Sequence, residues 1–214
     1  DDLHLLNQRL GATSRPIQLP VKKPKRIVVV RTPYWDQASP HMRDIFDSFV
    51  RAVADVDIEI IEATNEIDDL HADFELLSEC QLLLMALEAK AILGPIADKY
   101  GDLIRPETKS LVEQGLQAPP DAEQKIQHAK ERCEKLMSTL GHIADLILTP
   151  SALGAAPEGI AATGDPIFNR AWTFSKAPCL NIPIGRDINK LPIGAQFVRA
   201  GNDDNALLSH AQFL

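Results

Sequence analysis

The run Arg26-Ile27-Val28-Val29-Val30-Arg31 constrains this chain more than any other feature. Its four consecutive β-branched residues leave no polar position for solvent. Such a segment reads as a strand buried on both faces of a sheet. Thr32-Pro33-Tyr34-Trp35 follows as a loop. Ser39-Pro40 then supplies a hydroxyl cap and a proline for the first turn of a helix. Met42, Ile45, Phe46, Phe49, Val50 and Val53 recur at three and four, so one face of that helix packs on a core. Asp57-Ile58-Glu59-Ile60-Ile61 reads as a second strand. Strand, helix and strand make a βαβ-like unit, and the expected fold is α/β, a mixed sheet flanked by helices.

A helix-rich middle follows, with Leu70, Phe74, Leu77, Leu84 and Leu87 on one stripe. Asp68-Asp69 with His71 marks its start, since acidic residues favour the first turn. Pro119-Pro120-Asp121 opens another helix, whose buried stripe is Ile126, Ala129, Cys133, Leu136, Met137 and Leu140. Gly141 is its expected C-cap. Lys125, Lys130, Glu131, Arg132, Glu134 and Lys135 form its solvated face. From Ala144 the character changes. Leu146-Ile147-Leu148, Leu180-Asn181-Ile182 and Ile193 to Val198 are short apolar runs separated by Gly- and Pro-rich loops, dense enough to wall a pocket. Asp203-Asp204 opens a last helix through Leu207 and Leu208. At the other end, Leu3, Leu5, Leu6 and Leu10 fall on a helical face ended by Gly11. A chain opening inside a helix is expected to have had an upstream neighbour.

Composition removes several function classes. The formal net charge is −8, which disfavours a nucleic-acid surface. The one basic cluster, Lys22-Lys23-Pro24-Lys25-Arg26, reads as a solvated loop entering a strand. No run reaches the ~20 apolar residues of a membrane span. The longest, Leu82 to Leu87, is bounded by Glu79 and Glu88 and reads as a core helix. No signal peptide is visible, and the odd set Cys80, Cys133 and Cys179 fits buried thiols in a reducing cytoplasm.

Catalytic signatures are missing. There is no GxSxG elbow, HExxH, P-loop or GxGxxG, and no Ser-x-x-Lys. His4, His41, His71, His128, His142 and His210 are scattered without metal spacing. Neither a metal nor a cofactor is expected.

The informative stretch runs from Asp145 to the C-terminus. It contains Asp145-Leu-Ile-Leu-Thr-Pro150, Thr163-Gly-Asp-Pro166, Phe168-Asn169, Trp172-Thr173 and Ala177-Pro178. It continues through Asn181-Ile-Pro-Ile-Gly185 and Leu191-Pro-Ile-Gly-Ala-Gln-Phe-Val198 to Asp203-Asp204 and Leu207-Leu208. In order and spacing this resembles the C-terminal part of the amidase signature family. Ile27 to Met42 resembles an earlier strand and loop of that family, and Asp1 to Leu10 the helix after its catalytic core. The resemblance covers essentially all 214 residues.

What the resemblance implies is a half-enzyme. Family members act on amides with a serine nucleophile, a second serine in a cis peptide and a lysine, all upstream of anything seen here. No catalytic residue is therefore assigned. Ser151 and Ser175 are the tempting substitutes. Ser175 has Lys176 beside it, but adjacent residues on an extended chain point to opposite faces, and a nucleophile needs its base within reach. The expected substrate-facing residues are Thr163, Gly164, Asp165, Phe168 and Trp172. Two of these readings carry a bland alternative: Asp165 capping a helix near Pro166, and Phe168 with Trp172 filling the core at a spacing of four. The aromatic pair looks more like general amidases than the tRNA-dependent amidotransferases. The family usually has glycine shortly before Pro178 and again before Leu191, where this chain has Ser175-Lys176-Ala177 and Lys190. The first places a long cation near the pocket wall.

The whole of 1–214 is thus expected to be the C-terminal portion of an amidase domain. It divides into helix and linker (1–20), βαβ plus a helical part (21–118), and helix then strand and loop pocket wall (119–214). The expected substrate is a small amide, without nucleic acid or membrane, in the cytoplasm. The expected partner is the missing N-terminal half or a second copy. Two alternatives stand beside this. One is a fragment of the amidase-like component of a tRNA-dependent amidotransferase. The other is a non-catalytic component for binding or assembly.

Overall fold

A computed structural model describes residues 19–63, 67, 69–160, 162–201 and 203–214. The amphipathic stretch Leu3–Leu10 and Asp68 lie outside the described residues. The β-branched run forms β1 (Arg26–Val29), and Val30 continues the ladder by donating its N–H to Leu148 O at 2.9 Å. Helix α1 (Pro40–Ala54) starts as its sequence dictates: Ser39 Oγ accepts from Met42 N at 3.1 Å with proline in the first turn. Strand β2 (Glu59–Glu62) returns parallel to β1, pairing Ile27 with Ile60 and Val28 with Ile61.

The helical middle comprises α2 (Leu70–Tyr100), α3 (Pro106–Leu116) and α4 (Ala122–Ile143). Helix α4 runs past Gly141 and ends at Ala144, whose backbone is extended. The expected glycine cap is therefore corrected: a Cβ at Gly141 would stand 3.0 Å from Ala200 Cβ, so the residue serves a close approach. The solvated face of α4 is corrected in part. Arg132 donates to buried Asp73 at 2.7 Å and reaches Asp69 at 3.7 Å, while Lys125 pairs with Glu79. These pairs stitch α4 to α2. Asp69 sits at the start of α2 in a left-handed conformation and makes no side-chain cap.

The expectation about apolar length is also corrected. Leu70–Leu103 is long and apolar enough, by length and composition, to cross a membrane, with mean hydropathy 1.5 over its 18-residue window and 17% of that window buried. An uninterrupted run stops at Glu88, but an average tolerates Glu88 and Lys90.

Strand β3 (Leu146–Pro150) pairs parallel to β1 and is buried throughout. After a long loop comes the short α5 (Arg170–Ser175), then β4 (Cys179–Arg186), β5 (Pro192–Val198) and α6 (Asp204–Ala211). Strand β5 pairs antiparallel with both β3 and β4, so the sheet order is β2-β1-β3-β5-β4. The sheet is mixed, as expected. Alternate residues feed two cores. Val28, Val30, Ile147 and Val198 meet Phe74, Leu136 and Trp172 on the face covered by α2, α4 and α5. Ile27, Val29, Leu148 and Phe197 meet Phe46 and Leu207 on the face covered by α1 and α6. Asp203 caps α6 by accepting from Ala206 N at 2.9 Å.

Asp145 locks the two central strands at their starts. Its carboxylate accepts from the backbone N–H of Lys25 at 2.7 Å and of Arg26 at 3.1 Å. Burial alone would raise its pKa, but these two N–H groups hold it below the ordinary value.

Candidate substrate cleft

In α/β sheets, ligands bind in the crevice beyond the carboxyl ends of the parallel strands, where loops diverge. Here β1 and β3 release two loops, 30–39 and 151–169, at the same end of the sheet. Because β5 is antiparallel to β3, the β4–β5 turn arrives at that end too. Between them lies an open cleft of about 640 Å³. Leu153 to Ala156, Ile188 and Ile193 give it an apolar wall, and Gln37, Ser39, His41 and Asp187 add polar groups.

The fold holds three of these polar groups by hydrogen bonds. Ser39 donates its backbone N–H to Leu153 O at 2.7 Å, tying the two loops together, while its hydroxyl serves as the α1 cap. A Cβ at Gly154 would lie 3.1 Å from Ser39 Oγ, so a small residue is needed there. His41 Nε2 is 3.1 Å from Arg186 O. A carbonyl only accepts, so Nε2 carries the proton and Nδ1 is the acceptor of the neutral ring. Asp187 Oδ1 accepts from Leu191 N at 2.7 Å, which closes the β4–β5 turn. Further back, Arg31 donates to Asp47 at 2.8 Å and to Glu62, with its guanidinium 5.6 Å from the Trp35 ring. Burial alone would lower the Arg31 pKa, but the bonds to Glu62 and then Asp47 outweigh it and the pKa is raised. This clamp fixes the start of the loop that carries Gln37 and Ser39.

The five residues expected to face substrate occupy three settings: an exposed loop and the two cores. Thr163, Gly164 and Asp165 are exposed on the 151–169 loop. Gly164 takes φ +91, a region favouring glycine. Asp165 does not cap a helix at Pro166; it pairs with Arg170 at 2.8 Å, and α5 begins only at Arg170. Phe168 is 1% exposed and Trp172 2%, and they belong to opposite cores. Trp172 meets Phe74 edge-on with centroids 5.1 Å apart. None of the five lines the cleft described above. Sequence reading missed Gln37, Ser39, His41 and Asp187. Their signal was position, just past strand ends, and not residue type.

The tempting serines are both occupied. Ser151 Oγ donates to Gly194 O at 2.9 Å and Ser175 Oγ to Trp172 O at 2.8 Å. Within the cleft, Ser39 Oγ is bonded to Met42 N and His41 Nε2 to Arg186 O. The thiols are poor nucleophiles at neutral pH, since burial raises all three. Cys133 is pushed up to about 11 by burial, then by Glu134 and Asp73. Cys179 belongs to an exposed residue, but its sulfur tucks toward Ala177 O at 3.3 Å, and this burial also pushes it to about 11. Among the described residues, no three His, Cys, Asp or Glu side chains converge on a metal position.

The fold that carries this cleft is that of the amidase signature enzymes. A crystal structure of an amidase superposes with TM-score 0.73 at 18% identity, covering 97% of this chain and 48% of that one. A fatty acid amide hydrolase gives TM-score 0.67 at 15% identity, covering 96% and 42%. A bacterial aryl acylamidase of the amidase signature enzymes gives TM-score 0.63 at 13% identity, covering 89% and 42%. This chain spans about half the length of these solved structures or somewhat less. By sequence, neither a family profile nor a curated protein matches it.

Proposed function

We propose that this chain is the non-catalytic half of an amidase-type hydrolase acting on the C–N bond of small amides. It supplies one wall of the substrate cleft. The nucleophilic serine, its cis-peptide serine partner and the lysine come from a second polypeptide segment. The observation that carries this reading is the cleft at the carboxyl ends of β1 and β3, in the corresponding half of a fold built for amide chemistry. Its polar groups can orient a carbonyl or amide by hydrogen bonds, with His41 Nδ1 as an acceptor and Gln37 as both donor and acceptor. Proton abstraction from an attacking hydroxyl needs a base held against it, and both Ser151 and Ser175 donate to backbone carbonyls instead. Alone, the chain binds amide-bearing ligands weakly and does not turn them over.

The test is an assay of the 214-residue chain on short aliphatic and aromatic amides. The expected result is no hydrolysis above buffer, with saturable binding weakened at least roughly tenfold by His41→Ala, the loss of one hydrogen-bonding group. Turnover that stays with the protein through successive columns would overturn the reading. So would binding indifferent to every cleft substitution.

A further inference from the structure

Resting on that reading, we propose that the cleft selects amides that also carry a protonated amine, with the Asp187 carboxylate as the specificity-determining group. Among the described residues that line the cleft, Asp187 is the one Asp, Glu, Lys or Arg. The other polar groups are Gln37, Ser39 and His41, while Leu153 and Ile188 offer hydrocarbon. An amide joined to an ammonium through a short hydrocarbon spacer matches that set of groups: amide on the neutral donors and acceptors, spacer on the apolar wall, cation on the carboxylate.

Three hydrogen bonds hold that carboxylate in place. Asp187 N donates to Leu191 O at 2.8 Å, Asp187 O accepts from Lys190 N at 3.0 Å, and Oδ1 accepts from Leu191 N at 2.7 Å. The turn thus fixes backbone and side chain together, so little rotamer freedom is lost when a ligand arrives. A carboxylate accepts at both oxygens, and the turn uses Oδ1, which leaves Oδ2 for a ligand. Among the described residues, no Lys, Arg or His nitrogen lies within 4.0 Å of either oxygen. The two cations of the same turn are placed otherwise. Arg186 donates Nη1 to Lys190 O at 2.9 Å, Lys190 is exposed, and neither lines the cleft.

A partly buried carboxylate beside apolar surface favours a ligand of opposite charge, because the wall displaces water that would otherwise screen the pair. A ligand ending in a carboxylate would meet like charge there. The formal net charge of −8 adds a long-range bias in the same direction. The spacer is short because the two anchoring groups are neighbours. His41 Nε2 donates to the carbonyl of Arg186, the residue directly before Asp187, so its Nδ1 acceptor and the carboxylate stand at the same part of the wall.

The experiment titrates three amides of similar size into the 214-residue chain and reads binding by NMR. They are 4-aminobutanamide, pentanamide and succinamate, which end in an ammonium, a methyl group and a carboxylate. The expected result is 4-aminobutanamide bound at least about fivefold more tightly than pentanamide, with succinamate weakest, as for one charge-assisted hydrogen bond. Asp187→Asn, whose amide oxygen can still accept from Leu191 N, should bring the ratio of the first two close to one. In the wild-type chain, raising salt from about 0.02 to about 0.5 M should narrow the same ratio, because screening weakens an ion pair at a cleft mouth. That series decides the matter even where the variant fails to fold. Equal affinity for the three amides overturns the inference and leaves the amidase reading standing. A preference that survives Asp187→Asn, or that salt does not narrow, overturns it as well, since another group or the hydrocarbon is then its source. If none of the three binds, the amidase reading fails and this inference with it.

Discussion

Lys176 and Lys190 occupy the two positions where the resemblance led one to expect glycine nearby. Their backbones explain the expectation. Both are left-handed, with φ +56 at the end of α5 and φ +65 in the β4–β5 turn. A side chain there costs about 1 kcal/mol or more, partly offset by the entropy glycine loses on folding. Lys176→Gly and Lys190→Gly should each stabilise the chain by about 0.5 kcal/mol, read from urea midpoints at unchanged m-value. Lys176 does not line the cleft, so its cation leaves that wall untouched. Asp145 gives the clearest pH signature. Its folded pKa lies below the ordinary 3.8, so the carboxylate form is favoured by folding. That stabilisation is complete above the unfolded value and is lost as pH falls through the folded one. Asp145→Asn should therefore lower stability at neutral pH and flatten the loss of stability seen below about pH 4. A pH titration of Tm for the two proteins checks both effects.

Elements differ in how much local sequence decided them. Helix α1 was legible from end to end, because Ser39, Pro40 and the three-and-four apolar spacing all agree. Strand β4 was not. Its sequence carries Pro183 and Gly185, which argue against a long strand, yet it runs from Cys179 to Arg186 with a register shift between those two residues. Edge position permits the proline, and Gly185 is required where a Cβ would come 2.8 Å from Ile45 Cγ2. The pairing of α2 with α3 rests on a similar contact. A Cβ at Gly115 would fall 2.1 Å from Ala86 O and 2.7 Å from Lys90 Cβ. Gly115→Val should force these helices apart and destabilise by about 2 kcal/mol, as overpacking does. Circular dichroism melts would show it. A melt indistinguishable from wild type would mean the two helices are not held there.

At the level of the whole molecule, the sheet is a partition between two cores, and aromatic residues of the long 151–169 loop and of α5 plug one core each. Phe168 enters one and Trp172 the other. Phe168→Ala should destabilise the chain by about 3–5 kcal/mol, the range for a buried phenylalanine. A substrate-lining role would instead leave Tm unchanged and alter ligand affinity. The sequence by itself determined the elements: β-branched runs can only be buried strands, caps and proline set helix starts, and the amphipathic stripes choose which faces go inward. It also pointed to an amide-hydrolase fold through the order of its C-terminal segments. The tertiary structure alone decided the cleft. Gln37, Ser39 and His41 lie far from Asp187 in sequence, and all four are ordinary in type. They meet because β1 and β3 run parallel and β5 antiparallel, which brings three separate connections to one end of the sheet. No local pattern encodes that meeting, since it depends on strand order, and strand order is set by long-range packing.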